Sequence, residues 1–183
     1  VRVEVPAGRA YHLINHGPCC LITTGDGTRR NVAPINWTMP MLDDPPLVVM
    51  AVEPGIFTDE LLQAAGEFVV NVMGEAHAAA VLACGRSSGR DGDKFSATGL
   101  TPAPAGRVKP PFVAQSVGHI ECRVKEAIRR GDITLYVGEV LRAEAESDCF
   151  DGKLLIPEKA RTLHHVGGGV FAVADRVVRV PRT

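Results

Sequence analysis

Two runs rich in β-branched and apolar residues, Val117–Arg129 and Ile133–Ala145, are separated only by Arg130–Gly131–Asp132. A Gly-Asp turn between such runs closes an antiparallel hairpin. Arms of that length need further strands on either side to bury a face, so the hairpin commits the chain to a sizeable antiparallel sheet. Earlier segments supply the partners. Cys19–Leu21–Ile22–Thr23–Thr24 is a short apolar run that ends at Gly25–Asp26–Gly27, and an extended run from Arg30 to Trp37 follows. The two read as a second hairpin. Asp43–Asp44–Pro45–Pro46 breaks the chain, and Leu47–Val52 is apolar throughout, which predicts a strand buried on both faces.

Helical signals are few. Thr58–Ala65 reads as a short helix with Thr58 as N-cap and Gly66 as its stop. Glu67–Val72 is a strand, Glu75–Cys84 a second short helix ended by Gly85, and Gly85–Pro111 a long Gly/Pro/Ser-rich loop. Phe171–Val180 adds a last strand or two. Many strands around two short helices predict a mainly β fold of closed-barrel type with helical additions. At 183 residues the expectation is one domain spanning 1–183.

Charge narrows the partners. Lys plus Arg is 20 and Asp plus Glu is 21, so the phosphate-driven basic excess of a duplex-binding protein is missing and nucleic acid is not expected. No apolar run reaches the ~20 residues of a membrane span, and Val1–Ala10 lacks the apolar core of a signal peptide. Five unevenly spaced cysteines without a C-x-x-C pair read as reduced thiols of a cytoplasmic protein. His16 with Cys19 and Cys20 fits no common zinc spacing, and the adjacent His164 and His165 cannot easily chelate one ion, so no metal is expected.

Several residues carry chemistry. Lys94, one of five lysines, reads by itself either as a solvated loop residue or as a point charge for phosphate. Thr58 is a simple N-cap or part of an anion site at a helix N-terminus, with Asp59 and Glu60 opposing the second reading. Asn31 can donate and accept beside the first turn. Trp37, the only Trp, is a core residue or the wall of a flat ligand.

The order of segments resembles one family. Leu21–Ile22–Thr23–Thr24 is followed by Asn31–Val32–Ala33–Pro34–Ile35–Asn36–Trp37 and by Asp44–Pro45–Pro46–Leu47–Val48. Then come Gly66–Glu67–Phe68–Val69–Val70–Asn71, Asp93–Lys94–Phe95, Glu121–Cys122–Arg123–Val124, Gly131–Asp132 and Val137–Gly138–Glu139–Val140. From about Pro18 to Phe171 the chain is similar to the flavin reductase-like, FMN-binding split-barrel family, which includes flavoredoxin. The resemblance implies a split β-barrel, a homodimer, and bound FMN in preference to FAD. It implies a flavin site drawn from Thr23, Thr24, Asn31, Val32, Ala33, Asn36, Trp37, Thr58 and Lys94, with Lys94 at the phosphate. An aromatic or His after residue 160 also reaches the flavin in this family, which here means His165 or His164. One departure stands out: Ile133 occupies the position after Gly131–Asp132 where the family commonly has His.

The function so implied is NAD(P)H:flavin oxidoreductase, with NAD(P)H as a transient hydride donor and a small molecule or protein as electron acceptor. No G-x-G-x-x-G fingerprint follows a strand, so nicotinamide binding is shallow or does not occur. Two alternatives remain: a flavoredoxin-like electron carrier without NAD(P)H turnover, and a flavin-binding module without redox turnover.

Overall fold

The computed structural model describes residues 2–180. The ends of the expected 1–183 span, Val1 and residues 181–183, lie outside the described residues. Seven strands make one antiparallel sheet: β1 (Cys20–Gly25), β2 (Arg30–Ile35), β3 (Thr38–Asp43), β4 (Pro46–Val52), β5 (Glu67–Val72), β8 (Gly118–Arg130) and β9 (Ile133–Ala145). Two short pairs accompany it, β6 (Pro102–Ala103) with β7 (Phe112–Val113) and β10 (Thr162–Gly167) with β11 (Val170–Ala174). The sheet order is β2-β1-β5-β8-β9-β4-β3. Its two outermost strands, β2 and β3, are consecutive in the chain and separated only by Asn36 and Trp37. A sheet whose edges are tied by two residues has to curl back on itself, and the Trp37 carbonyl, accepting the Ala51 N–H at 2.9 Å, extends the β3–β4 ladder into that link. The result is a barrel split at that seam.

Alternation along β1 builds two cores. Cys20 and Ile22 point into the barrel with Met50, Phe68, Cys122 and Tyr136. Leu21 points outward, where Val32, Val81, Cys84, Phe95 and Leu163 cover it. The outer layer comes from helix α2 (Ala78–Arg86), helix α3 (Lys94–Thr98) and the β10–β11 pair, while helix α1 (Phe57–Ala65) carries Leu62 into the barrel. A fourth helix, α4 (Pro157–Ala160), precedes β10. No helix among the described residues is long and apolar enough to cross a membrane.

The expected long hairpin forms as β8–β9, and Gly66 ends α1 in the left-handed region at φ 65°. Four expectations are corrected. The strand buried on both faces is β1, whereas β4 alternates between buried and half-buried positions. Residues 38–43 form strand β3, which Pro40 obscures in the sequence; proline is tolerated there because β3 is an edge. The 85–111 stretch contains α3, capped by Asp93 and closed by Gly99 at φ 71°. Strand β11 stops at Ala174, so residues 175–180 add none.

Candidate functional site

The seam opens into a cleft of about 670 Å³, within the size range of small-molecule sites. One wall is the outgoing half of β2 with Ala33 and Ile35, continued by Asn36 and Trp37. Ala51 of β4, Ile133 of β9, the start of α1 and the loop Gly85–Arg90 complete the lining.

Asn31, only 3% exposed, donates through Nδ2 to the Thr58 hydroxyl at 3.0 Å. Its Oδ1 is buried without a partner. That bond explains why Thr58 is not the helix cap. The N-cap position is Ile56, with no side-chain bond to the first turn, and Thr58 lies inside the helix with its hydroxyl turned to Asn31. Asp59, also buried, accepts the Gly55 N–H at 2.8 Å and the Tyr136 hydroxyl at 2.5 Å. Burial, then the Asp59 carboxylate, pushes the Tyr136 phenol well above its ordinary value, so Tyr136 stays a donor that anchors the α1 entrance to the barrel interior.

Lys94 is 6% exposed, not a solvated loop residue. Its Nζ donates to the Cys84 carbonyl at 2.7 Å and the Val32 carbonyl at 3.1 Å, joining α2 to β2 beneath the cleft. Burial lowers its pKa. Arg90 reaches across the rim to the Gly55 carbonyl and Glu60, each at 3.0 Å, and lies over the Phe57 ring, 5.5 Å from its centroid. Arg29 pairs with the same Glu60 at 2.5 Å. These contacts pin the 85–90 loop to the start of α1.

The histidine alternatives separate cleanly, because neighbours on a strand face opposite sides. His165 Nδ1 lies 2.8 Å from Asn36 Nδ2 and its Nε2 lies 3.0 Å from the Gly168 carbonyl. Both ring nitrogens are engaged, Nδ1 by the Asn36 amide and Nε2 by the Gly168 carbonyl. His165 thus stands one residue behind the cleft and positions Asn36, whose Oδ1 is buried without a partner. His164 is corrected: its Nδ1 meets the His16 carbonyl at 2.6 Å and its Nε2 the Thr162 hydroxyl at 3.1 Å, away from the cleft. Trp37 is 48% exposed and is not a core residue. It lies edge-on to Tyr11 and donates to Asn15 Oδ1 at 3.1 Å.

Of the expected site residues, Asn31, Ala33, Asn36, Trp37, Thr58 and Lys94 line the cleft together. Thr23, Thr24 and Val32 do not. Thr23 faces away and donates to the Pro111 carbonyl at 2.5 Å. Thr24, fully buried, sits between Asn31 and Phe68 across the strands. The Val32 side chain belongs to the outer core, and only its carbonyl serves the site, by holding Lys94.

The sequence reading missed the run Arg86–Ser87–Ser88–Gly89–Arg90. The signal was the repeated Gly-Arg of Gly85–Arg86 and Gly89–Arg90 with two hydroxyls between. This run and the uncapped N-terminus of α1 gather at one end of the cleft, the donors that an anion requires. The cleft thus brings the apolar side chains of Ala33, Pro34, Ile35, Ile56 and Ile133 together with Arg86, Ser87, Ser88 and Arg90.

Comparison with known proteins accords with this geometry. A family model described as flavin reductase like domain matches residues 14–164. The protein YddH of Escherichia coli (strain K12) is 33% identical over 183 residues, covering 96% of each chain. The fold is similar to that of flavoredoxin from Desulfovibrio vulgaris (Miyazaki F), with a TM-score of 0.85 at 22% identity over 97% of each chain. It is also similar to an FMN-binding protein from Thermus thermophilus solved with bound p-hydroxybenzaldehyde. There the TM-score is 0.83 at 25% identity, over 99% of this chain and 98% of that one.

Proposed function

The chain belongs to the flavin reductase-like domain family, and from that premise we propose that it is an oxidoreductase that holds FMN in the seam cleft and takes its electrons from NAD(P)H. The observation that carries this reading is a single cleft lined both by apolar side chains, among them Ala33, Ile35, Ile56 and Ile133, and by Arg86, Ser87, Ser88 and Arg90. The residues fit the group. Asn36 Oδ1 is a buried acceptor without a donor, suited to the N–H edge of a flavin ring, while Asn31 Oδ1, also unpartnered, lies beside Gly89 at the phosphate end. Arg86, Ser87, Ser88 and the first turn of α1 suit its phosphate. FAD would add an adenylate beyond that end, so FMN is the first choice.

Bound flavin supplies reversible two-electron chemistry, including acceptance of a hydride. The chain's share is placement. Trp37 and Ile133 limit water at the mouth, Asn36 orients the ring edge, and His165 fixes Asn36. With both ring nitrogens engaged, His165 is a positioning residue and not an acid. NADH or NADPH added without oxygen should bleach the bound flavin saturably within seconds. His165→Ala should retain FMN yet slow bleaching by about tenfold or more, since ångström-scale misplacement costs up to ~10²-fold. Ile133→His, which restores the usual residue at the cleft mouth, should speed it. If neither nicotinamide reduces the wild-type flavin while dithionite does, the electron-carrier reading replaces this one. That second reading is favoured by one observation, the apolar Ile133 in the cleft wall where a proton-donating residue is usual.

A homodimer is part of the proposal. Edge strand β3 exposes Met39, Met41 and Leu42 at 59%, 52% and 45%, beside half-exposed Trp37. An unpaired apolar edge of this kind favours a twofold partner. Light scattering of the flavin-loaded protein at micromolar concentration should give twice the chain mass, and a monomer would contradict it. Five free buried cysteines accord with a reducing compartment such as the cytoplasm.

A further inference from the structure

Away from both walls of the cleft, β8 and β9 bring together His119, Glu121 and Glu144. His119 is 5% exposed and Glu121 is fully buried, while Glu144 reaches the surface. The imidazole is held flat against Phe112, with centroids 4.0 Å apart and planes 8° apart. That stacking aims Nε2 between the two carboxylates, 3.6 Å from Glu121 Oε1 and 3.5 Å from Glu144 Oε2. Nε2 is buried and has no hydrogen-bond partner. Charge-assisted N–H···O bonds close to ~2.7–2.9 Å, and both of these contacts are longer than that. Theirs is the spacing of ligands around an ion. Bonds of ~2.0–2.2 Å in tetrahedral array put neighbouring ligand atoms roughly 3.3–3.6 Å apart.

The surroundings orient the carboxylates as outer partners of metal ligands do. Glu121 accepts the Gly106 N–H at 3.0 Å on Oε1 and the Arg107 N–H at 2.5 Å on Oε2. Arg142 binds the other oxygen of Glu144, Oε1, at 2.5 Å, which leaves Oε2 toward His119. Its Nε stands 4.0 Å from Glu121 Oε1. Arg142 is thus the cation an incoming ion must compete with.

We propose that His119, Glu121 and Glu144 form a site for a divalent first-row transition ion that fastens the 104–107 loop to the barrel wall. One imidazole and two carboxylates suit Zn²⁺ or Mn²⁺. The test is equilibrium dialysis of the flavin-loaded, chelator-treated protein against Zn²⁺ and, separately, Mn²⁺, with the melting temperature followed in parallel. Wild type should take up one ion per chain and melt higher with it. Glu144→Gln, at the surface end of the cluster, should keep its flavin and lose at least about tenfold in ion affinity, and His119→Asn should do the same. Arg142→Gln should bind the ion more tightly, because the competing guanidinium is gone. Absence of uptake by both wild type and Arg142→Gln overturns the proposal. So does uptake that Glu144→Gln and His119→Asn leave unchanged, which would place the ion elsewhere.

Discussion

Replacing Lys94 by methionine should destabilise the protein by roughly 2–4 kcal/mol, read as a loss in denaturant midpoint at constant slope. Its ammonium donates to both the Val32 and the Cys84 carbonyl under the cleft. Each buried carbonyl left without a donor costs about 1–3 kcal/mol. Methionine fills a similar volume but returns neither bond, and the relief of desolvating one charge offsets part of the loss. The sign of the pH dependence follows from the lowered pKa of Lys94. Folded protein holds this proton less tightly than the unfolded chain, so between the lowered value and the ordinary 10.5 the unfolded chain binds more protons. The gap between wild type and Lys94→Met should therefore widen as pH rises through that interval. Below it the cost of burying the charge is present in full. Flavin affinity supplies the second readout. Lys94 spends its hydrogen bonds on the protein, joining β2 to α2, so FMN and riboflavin should weaken together. A loss confined to FMN would show that Lys94 serves the phosphate directly.

That outcome bears on what the sequence could reveal. The long hairpin, the first turn and the Gly66 helix stop are local signals, and each appears in the structure where its chemistry demands. Strand β3 was hidden because its proline is acceptable only at an edge, and edges are set by the whole sheet. Thr23 and Thr24 illustrate the limit for the site. Adjacent strand residues must face opposite ways, yet nothing local says that Pro111 covers one and that Phe68 and Asn31 flank the other. The choice between His164 and His165 was undecidable for the same reason, until the bulge after His165 and the Asn36 contact set the face. Lys94 is the opposite case. Its motif marks it as special, but its burial between two carbonyls is a consequence of α2 docking on β2. Gly85 allows that docking, since a Cβ there would stand 3.0 Å from Pro34 Cγ.

The largest effect on ligand binding should come from Gly89→Val. Gly89 lies on the cleft rim between two arginines, and a Cβ built on it would stand 2.4 Å from Asn31 Oδ1 and 2.7 Å from the Phe57 ring. Neither neighbour gives way easily. Asn31 is buried and tied to Thr58, and Phe57 is pressed by both Arg29 and Arg90. The rim loop has to move instead, carrying Arg86, Ser87 and Ser88 with it. Overpacking costs about 1–3 kcal/mol. Expressed as displacement of the phosphate end, that lowers flavin affinity by roughly 5- to 150-fold at ~1.4 kcal/mol per decade. Melting temperature should fall little, since the loop belongs to neither core. Gly92→Val is the control. It lies three residues on, no atom approaches its Cβ position within 4 Å, and it should bind as wild type does. Asn31→Ala removes the oxygen that the new side chain meets, so the double variant should lose less affinity than the two single losses added together. Fluorescence titration with FMN measures all four proteins. If Gly89→Val binds FMN as tightly as wild type, the seam cleft is not where the flavin lies, because no ligand can fill that end without meeting the displaced rim.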